Sequence, residues 1–308
     1  MIAQNLAYVA LASRDPGLTC AVLEQHLQLP RSEFEAGRER VPVFAVGRSA
    51  LAVFPLAHPL LDGDATPGLH HIALEADDLR RAAHHAAEAG LSPGPAGVGL
   101  GGRESVVLDR AATAGVRVRL THGLGLAAHC GERVERIDHL GVASTDVAQD
   151  ERVFTGCLGF QLESRQTDME VSIAVESFTS DKYGVVYHTR APEPVGGLRV
   201  TFITVGDCEL EFLANFDPSQ GARPDHGTPG STRQDHGAIT RYVQSRGCGL
   251  HHVALKVRDI DATLGALAAA GLRLIDTRGR PGSRRARIGF VHPAAFGGIL
   301  MHLVQRDG

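Results

Sequence analysis

The chain has no tryptophan, aromatic residues make up 5% of it, and its five cysteines never occur as a C-x-x-C pair. So few aromatics disfavour a platform for stacking nucleic-acid bases. The scattered, odd-numbered cysteines (Cys20, Cys130, Cys157, Cys208, Cys248) argue against a disulfide frame or a thiolate zinc site and suit a reducing cytoplasm. No apolar run approaches the ~18–20 residues of a membrane span, and the N-terminal stretch lacks a basic segment followed by a cleavable apolar core. The net charge of −4 gives no surplus to draw the chain to nucleic acid or an anionic membrane. What the chain does have is a hydrophobic fraction of 43%, enough for a sizeable core, with 36 glycines and 16 histidines in 308 residues. That length suggests about two domains at roughly 100–200 residues each.

The chain repeats itself. GLHHIALEADDL from Gly68 returns as GLHHVALKVRDI from Gly249, an offset of 181 residues. An Ala-rich stretch ending in Gly-Leu follows each, at Gly90 and Gly271, which predicts a helix with a glycine stop. A weaker pair, AYVALASRD from Ala7 and DHLGVASTD from Asp138, is offset by 131 residues. Four copies of one unit are therefore expected, starting near Asn5, Gly68, Ile137 and Gly249. Each reads as a strand, a helix and further strands, as in RVTFITV and CELEFLA. The Gly-rich segment 123–136 reads as a linker between units 1–122 and 137–308, and 217–237 reads as a long loop.

Strand periodicity selects candidate site residues. His139 shares a face with Gly141 and Ala143. His252 shares one with Ala254 and Lys256, while His251 falls on the opposite face. Glu211 shares a face with Glu209, and His302 sits among apolar neighbours, where a polar group needs a partner to offset its burial. A lone strand histidine is more often a satisfied core or surface residue, but four such groups at matching places of repeated units carry more weight. Imidazoles and a carboxylate suit a borderline divalent ion such as Zn, Co, Ni, Fe or Mn.

On these repeats and strand-borne residues the sequence resembles the vicinal oxygen chelate superfamily, the group of glyoxalases, methylmalonyl-CoA epimerases and extradiol dioxygenases. GLHHVALKVRDIDATLGALAAAGLRLID followed by RIGFVHPAAFGGILMHLVQ carries most of the likeness. The resemblance implies an α+β fold of four βαβββ modules, paired into two domains with cup-shaped mixed sheets. It also implies one divalent metal in the second half, held by His139, Glu211, His252 and His302, the last standing where the family commonly has Glu. The nearest match to the epimerase catalytic Glu is Thr201. The matching first-half positions are Tyr8, Phe54, His71 and Arg119, a poor metal set.

The activity implied is that of a metal-dependent isomerase, epimerase or lyase. It would act on a small hydroxyketone, acid or thioester through a stabilised enolate, with Glu211 or His302 as base if either ligand is labile. Two alternatives stay open: an Fe(II) dioxygenase of a catechol-like or 2-oxo acid substrate, and a non-catalytic binding or resistance protein. The partner implied is a small molecule, and assembly into a homo-oligomer stays open.

Other features have plainer readings beside the functional ones. Arg280, Arg284, Arg285 and Arg287 could grip an anionic substrate or line a solvated loop. Two Asp-His-Gly triplets (225–227 and 235–237) could form a lid or ordinary turns. Tyr183, Tyr187 and His188 could face the cup or sit on a half-buried strand, and Glu209 could assist as a base.

Overall fold

Four aspartates punctuate the chain at matching places. Asp15, Asp78, Asp146 and Asp259 each accept backbone N–H bonds of 2.9–3.0 Å from the first turn of the helix that follows. Each satisfies donors that a helix start leaves unpaired, and so marks where strand gives way to helix. The computed structural model describes residues 2–215 and 237–306.

The first half runs β1 (Asn5–Ser13), α1 (Pro16–Ala21), β2 (Arg31–Ala36), β3 (Glu39–Val46) and β4 (Ser49–Pro55), then β5 (Gly68–Glu75), α2 (Leu79–Glu88), β6 (Pro93–Val98), β7 (Glu104–Leu108) and β8 (Val118–Thr121). The second half repeats the order. It has β9 (Val134–Ala143), α3 (Val147–Glu151) and β10 (Gln161–Ser172), then an inserted ribbon of β11 (Val175–Ser180) and β12 (Gly184–Thr189), then β13 (Glu193–Val205) and β14 (Cys208–Asn215). After α4 (Ala238–Arg246) come β15 (Gly249–Val257), α5 (Ile260–Ala269), β16 (Arg280–Pro281), β17 (Arg287–Val291) and β18 (Met301–Gln305). Helices α2 and α5 stop at Gly90 and Gly271, whose φ angles of 79° and 78° lie where a side chain is costly.

In every module the first strand lies parallel to the last: β1 with β4, β5 with β8, β9 with β14 and β15 with β18. Modules join in pairs through antiparallel first strands, β1 with β5 and β9 with β15. The result is two curled mixed sheets of eight strands, ordered β2-β3-β4-β1-β5-β8-β7-β6 and β10-β13-β14-β9-β15-β18-β17-β16. This is the α+β arrangement of four βαβββ modules. The registers agree to the residue. Tyr8 faces Ala73 and Ala10 faces His71 in the first sheet, as His139 faces Ala254 and Gly141 faces His252 in the second. The sequence offsets of 131 and 181 are the same pairing seen in the chain.

One continuous apolar core draws Leu11, Ile72 and Leu120 from the first half and Leu140, Phe212 and Leu303 from the second. Strand β9 begins at Val134, inside the stretch expected as a linker. Earlier in that stretch Leu124 packs into the first cup, and His129 exchanges backbone hydrogen bonds with Gly47. The segment with Tyr183, Tyr187 and His188 does not face a cup: it forms the β11–β12 ribbon and the turn before β12, where both tyrosines are more than 60% exposed. Residues 216–236 lie outside the described residues. They include both Asp-His-Gly triplets except Gly237. Among the described residues no helix is long and apolar enough to cross a membrane.

Candidate metal centre

The centre of the second sheet, β14-β9-β15-β18, sets five polar side chains on two adjacent rungs. One rung runs Glu211–Gly141–His252, the next Glu209–His139–Ala254–His302. Small residues, Gly141 and Ala254, stand between the large ones and leave the imidazoles room to lean together. Gly141 is the tightest case: a Cβ there would lie 2.0 Å from Cε1 of His252, so this ring occupies the space that glycine leaves.

His139, His252 and His302 are buried, and each offers a nitrogen within 4.8 Å of the others. Glu211 joins them, its Oε2 lying 3.2 Å from Nε2 of His139 and 3.6 Å from Nε2 of His252, while those two nitrogens are 3.3 Å apart. The far side of His139 is fixed by Asp138, whose Oδ2 lies 2.9 Å from Nδ1 and so leaves Nε2 aimed at the cluster. Arg306 in turn holds Asp138, with Nη2 at 2.9 Å, and Arg136 approaches at 3.4 Å. His251 and His252 share a contact of 3.0 Å between their Nδ1 atoms, which leaves Nε2 of His252 for the cluster.

The charges follow from these contacts. Burial disfavours a charged His139, but the Glu211 carboxylate and the bonds to Asp138 and Glu211 outweigh it and lift this ring to about 9. Burial would raise Glu211, yet His139 holds it below the usual carboxylate range. Asp138 is held far lower still against its own burial by His139 and Arg306. Burial first, then the neighbouring imidazoles and, for His302, Arg280 and Arg306, pushes His252 and His302 well below the ordinary imidazole value. His302 is the group that most wants a partner. Its ring stacks on Phe290 at 4.3 Å, and among the described residues neither buried ring nitrogen has a hydrogen bond. Three imidazoles and a carboxylate around an orphaned buried nitrogen fit a divalent cation.

The cluster forms the floor of a cavity of about 450 Å³. Leu213, Ile239, Ile288 and Phe290 give it apolar walls, and Asp168 and Glu170 on β10 face it from another side. His251 lines it too, contrary to strict alternation. The pairing of β9 with β15 skips from Leu250 to His252, and this bulge turns two consecutive side chains the same way. Glu209 is bound to Arg284 and so is committed to an ion pair. Arg287 pairs with Asp261 at 2.6 Å, whereas Arg280 reaches the cavity. Thr201 is buried and is not among the cavity-lining residues.

The first cup is built on the same rungs with other chemistry. Ala10 pairs with Ala52 as Gly141 does with Glu211, so the counterpart of Glu211 is Ala52 and not Phe54. Arg119 matches His302, both paired with the alanine of their first strand, Ala73 and Ala254. The four matched positions are thus Tyr8, Ala52, His71 and Arg119. His71 contacts the Tyr8 hydroxyl at 3.3 Å, and Arg119 bonds Leu60 O and Asp62. Phe54, Leu61, Leu100 and Leu124 pack into this cup. Sequence reasoning missed Asp138, Asp168 and Glu170, and named Gly141 only as a small residue on the His139 face. The polar doublets Asp138-His139 and His251-His252, echoed by His70-His71, were the available signal for the orienting partners.

Comparison with known proteins agrees with this architecture. Residues 138–290 match the family model of the Glyoxalase/Bleomycin resistance protein/Dioxygenase superfamily. Mouse mitochondrial methylmalonyl-CoA epimerase is 27% identical over 130 residues, 42% of this chain, and the match spans 64% of that relative. The uncharacterised protein YqjC of Bacillus subtilis is 22% identical over 175 residues, 57% of this chain and 95% of its own length. A mutant 4-hydroxymandelate synthase from Streptomyces coelicolor shares the fold along the whole chain, with a TM-score of 0.63 at 15% identity, covering 100% of this chain and 94% of that one.

Proposed function

Residues 138–290 being a domain of the Glyoxalase/Bleomycin resistance protein/Dioxygenase superfamily, we propose that the chain is an enzyme whose His139, Glu211, His252 and His302 hold one divalent ion. The reaction proposed is an isomerisation, epimerisation or lyase step on a small hydroxyketone, acid or thioester. The observation that carries this is the convergence of three buried imidazoles and Glu211 on the floor of an apolar-walled cavity. A divalent ion bound there supplies a Lewis acid that polarises a substrate carbonyl and makes the neighbouring C–H more acidic. Asp138 keeps Nε2 of His139 directed inward, and Leu213, Ile239 and Ile288 keep water from the reacting carbon. The proton is moved by a carboxylate or imidazole at the cavity surface. Glu211 and His302 serve if they yield their place on the ion, and Asp168 or Glu170 serves from the β10 wall.

A second reading has its own support. His139, His252 and Glu211 lie within 3.2–3.6 Å of one another without His302, the 2-His-1-carboxylate set of Fe(II) oxygenases. The experiment that separates them is incubation of the metal-loaded chain with hydroxyketones, 2-oxo acids and acyl thioesters in D2O, once under argon and once in air. Deuterium entering the carbon beside the carbonyl, and lost on chelation, supports the first reading. Oxygen uptake matched to product, with no exchange under argon, supports the second. Bound substrate without either would leave a binding protein.

A further inference from the structure

A second cavity, of about 440 Å³, lies where the two halves meet, away from the metal cluster. It forms at the two GLHH openings. Arg110 from the first half donates 2.8 Å to the carbonyl of Cys248, just before Gly249. Arg246 at the end of α4 donates 2.8 Å to the carbonyl of Pro67, just before Gly68. Each half therefore sends an arginine across to the same place on the other. Arg117 joins them on the cavity wall, paired at 2.9 Å with Asp64. Three guanidiniums face one carboxylate, an imbalance of positive charge in a chain whose net charge is −4.

One more group points to a ligand. His70 is 3% exposed and lines this cavity, and among the described residues its buried Nε2 has no hydrogen-bond partner. Its Nδ1 is taken by Nδ1 of His71 at 2.8 Å, and His71 reaches the Tyr8 hydroxyl through Nε2 at 3.3 Å. If Tyr8 donates to His71 and His71 to His70, then Nε2 of His70 carries a proton and points it into the cavity as a neutral donor. The Tyr8–His71 pair, which has no metal set around it, then serves as the back support of a donor aimed elsewhere.

We propose that this inter-half cavity is a binding site for a small molecule with a dianionic head, phosphoryl or dicarboxylate, gripped by Arg110, Arg117 and Arg246 with His70 donating from below. Guanidinium forks match such oxygens in pairs, and the cavity leaves room for a body beyond the head group. A ligand there would bridge residues of both halves.

The test is titration calorimetry of the full chain with inorganic pyrophosphate and with malonate, after chelation of metal and again in His252→Ala. One saturable site per chain is expected in both backgrounds, with affinity at least tenfold weaker in Arg246→Met and Arg117→Gln. The tighter of the two probes names the head group. Nitrogen NMR of the histidines gives a readout that does not depend on those variants: Nε2 of His70 should be the protonated nitrogen, and its signal should shift on binding. The proposal is overturned by lack of saturable binding, by wild-type affinity in both arginine variants, or by binding that disappears in His252→Ala.

Discussion

The two halves share one backbone plan and diverge at all but one of the positions proposed to serve a metal. His139, Gly141, Glu211 and His302 of the second half stand where the first has Tyr8, Ala10, Ala52 and Arg119, with His252 matched by His71. The first cup is packed by Phe54, Leu61, Leu100 and Leu124, whereas the second keeps its cavity. Donor chemistry and empty space therefore go together. Gly141 belongs to the site as fully as the proposed ligands do, because its counterpart Ala10 carries the Cβ that His252 could not tolerate. A shared scaffold fixes where a site can be, and a few substitutions decide whether it exists.

The comparison breaks most sharply at the ligands. Metal analysis of purified protein should find one ion per chain. His139→Ala and His252→Ala should each lose most of it, because an ion missing one ligand is left undercoordinated, while His71→Ala keeps it. Two ions per chain in the wild type, or full retention in His252→Ala, would refute the asymmetry. Next comes Gly141→Ala, which makes the second half like the first at one atom. The added Cβ must displace the His252 ring, so metal affinity should fall at least about tenfold, with the fold intact by circular dichroism. Ala10→Gly in the first half should leave metal content unchanged.

A smaller effect is expected at Asp138, the orienting partner of His139 that has an alanine, Ala7, as its first-half counterpart. Asp138→Asn should weaken metal binding by about 10–100-fold. It should also move the pH dependence. In the wild type His139 holds a proton up to about 9, and that proton competes with the ion, so affinity rises with pH until about 9 and then levels. Without the Asp138 charge the plateau should begin at lower pH. An unchanged profile would show that Asp138 does not tune the ring.

The smallest effect concerns a buried acid outside the site. Asp150 on α3 is bonded to Ser144, and among the described residues its Oδ2 has no partner. The matching pair in the first half is Thr19 and Ser13, bonded at 2.7 Å and uncharged. Burial pushes Asp150 up to about 7 despite the bond to Ser144. With its folded value raised, the native state holds a proton that the unfolded chain releases, so stability falls as pH climbs from about 4 towards 7. Asp150→Thr should therefore raise Tm at pH 8 by a few degrees and change it little at pH 4. Equal shifts at both pH values would mean that charge is not the cause.

Much of this was legible beforehand, for a physical reason. Repeats, glycine stops at Gly90 and Gly271, and alternation along β9, β14, β15 and β18 are local properties, and they singled out His139, Glu211, His252 and His302, while only the family resemblance implied that the four meet. What escaped depends on departures from the local rule. His251 turns into the cavity through a bulge, and Asp138 curls round to reach a ring that alternation puts on the other face. Ala52 rather than Phe54 matches Glu211 because the weak first repeat does not fix register in β4. The β11–β12 ribbon interrupts a module that sequence alone reads as continuous.

Each of the four proposed ligands lies on a different strand, and they are spread along the chain from His139 to His302. An ion joining them would act as a cross-link in a protein whose cysteines are all free. It would tie shut the long loops between those strands and restrict the unfolded chain's route apart. The last tie would be made by β18, so the cross-link could close only after that strand had joined its sheet.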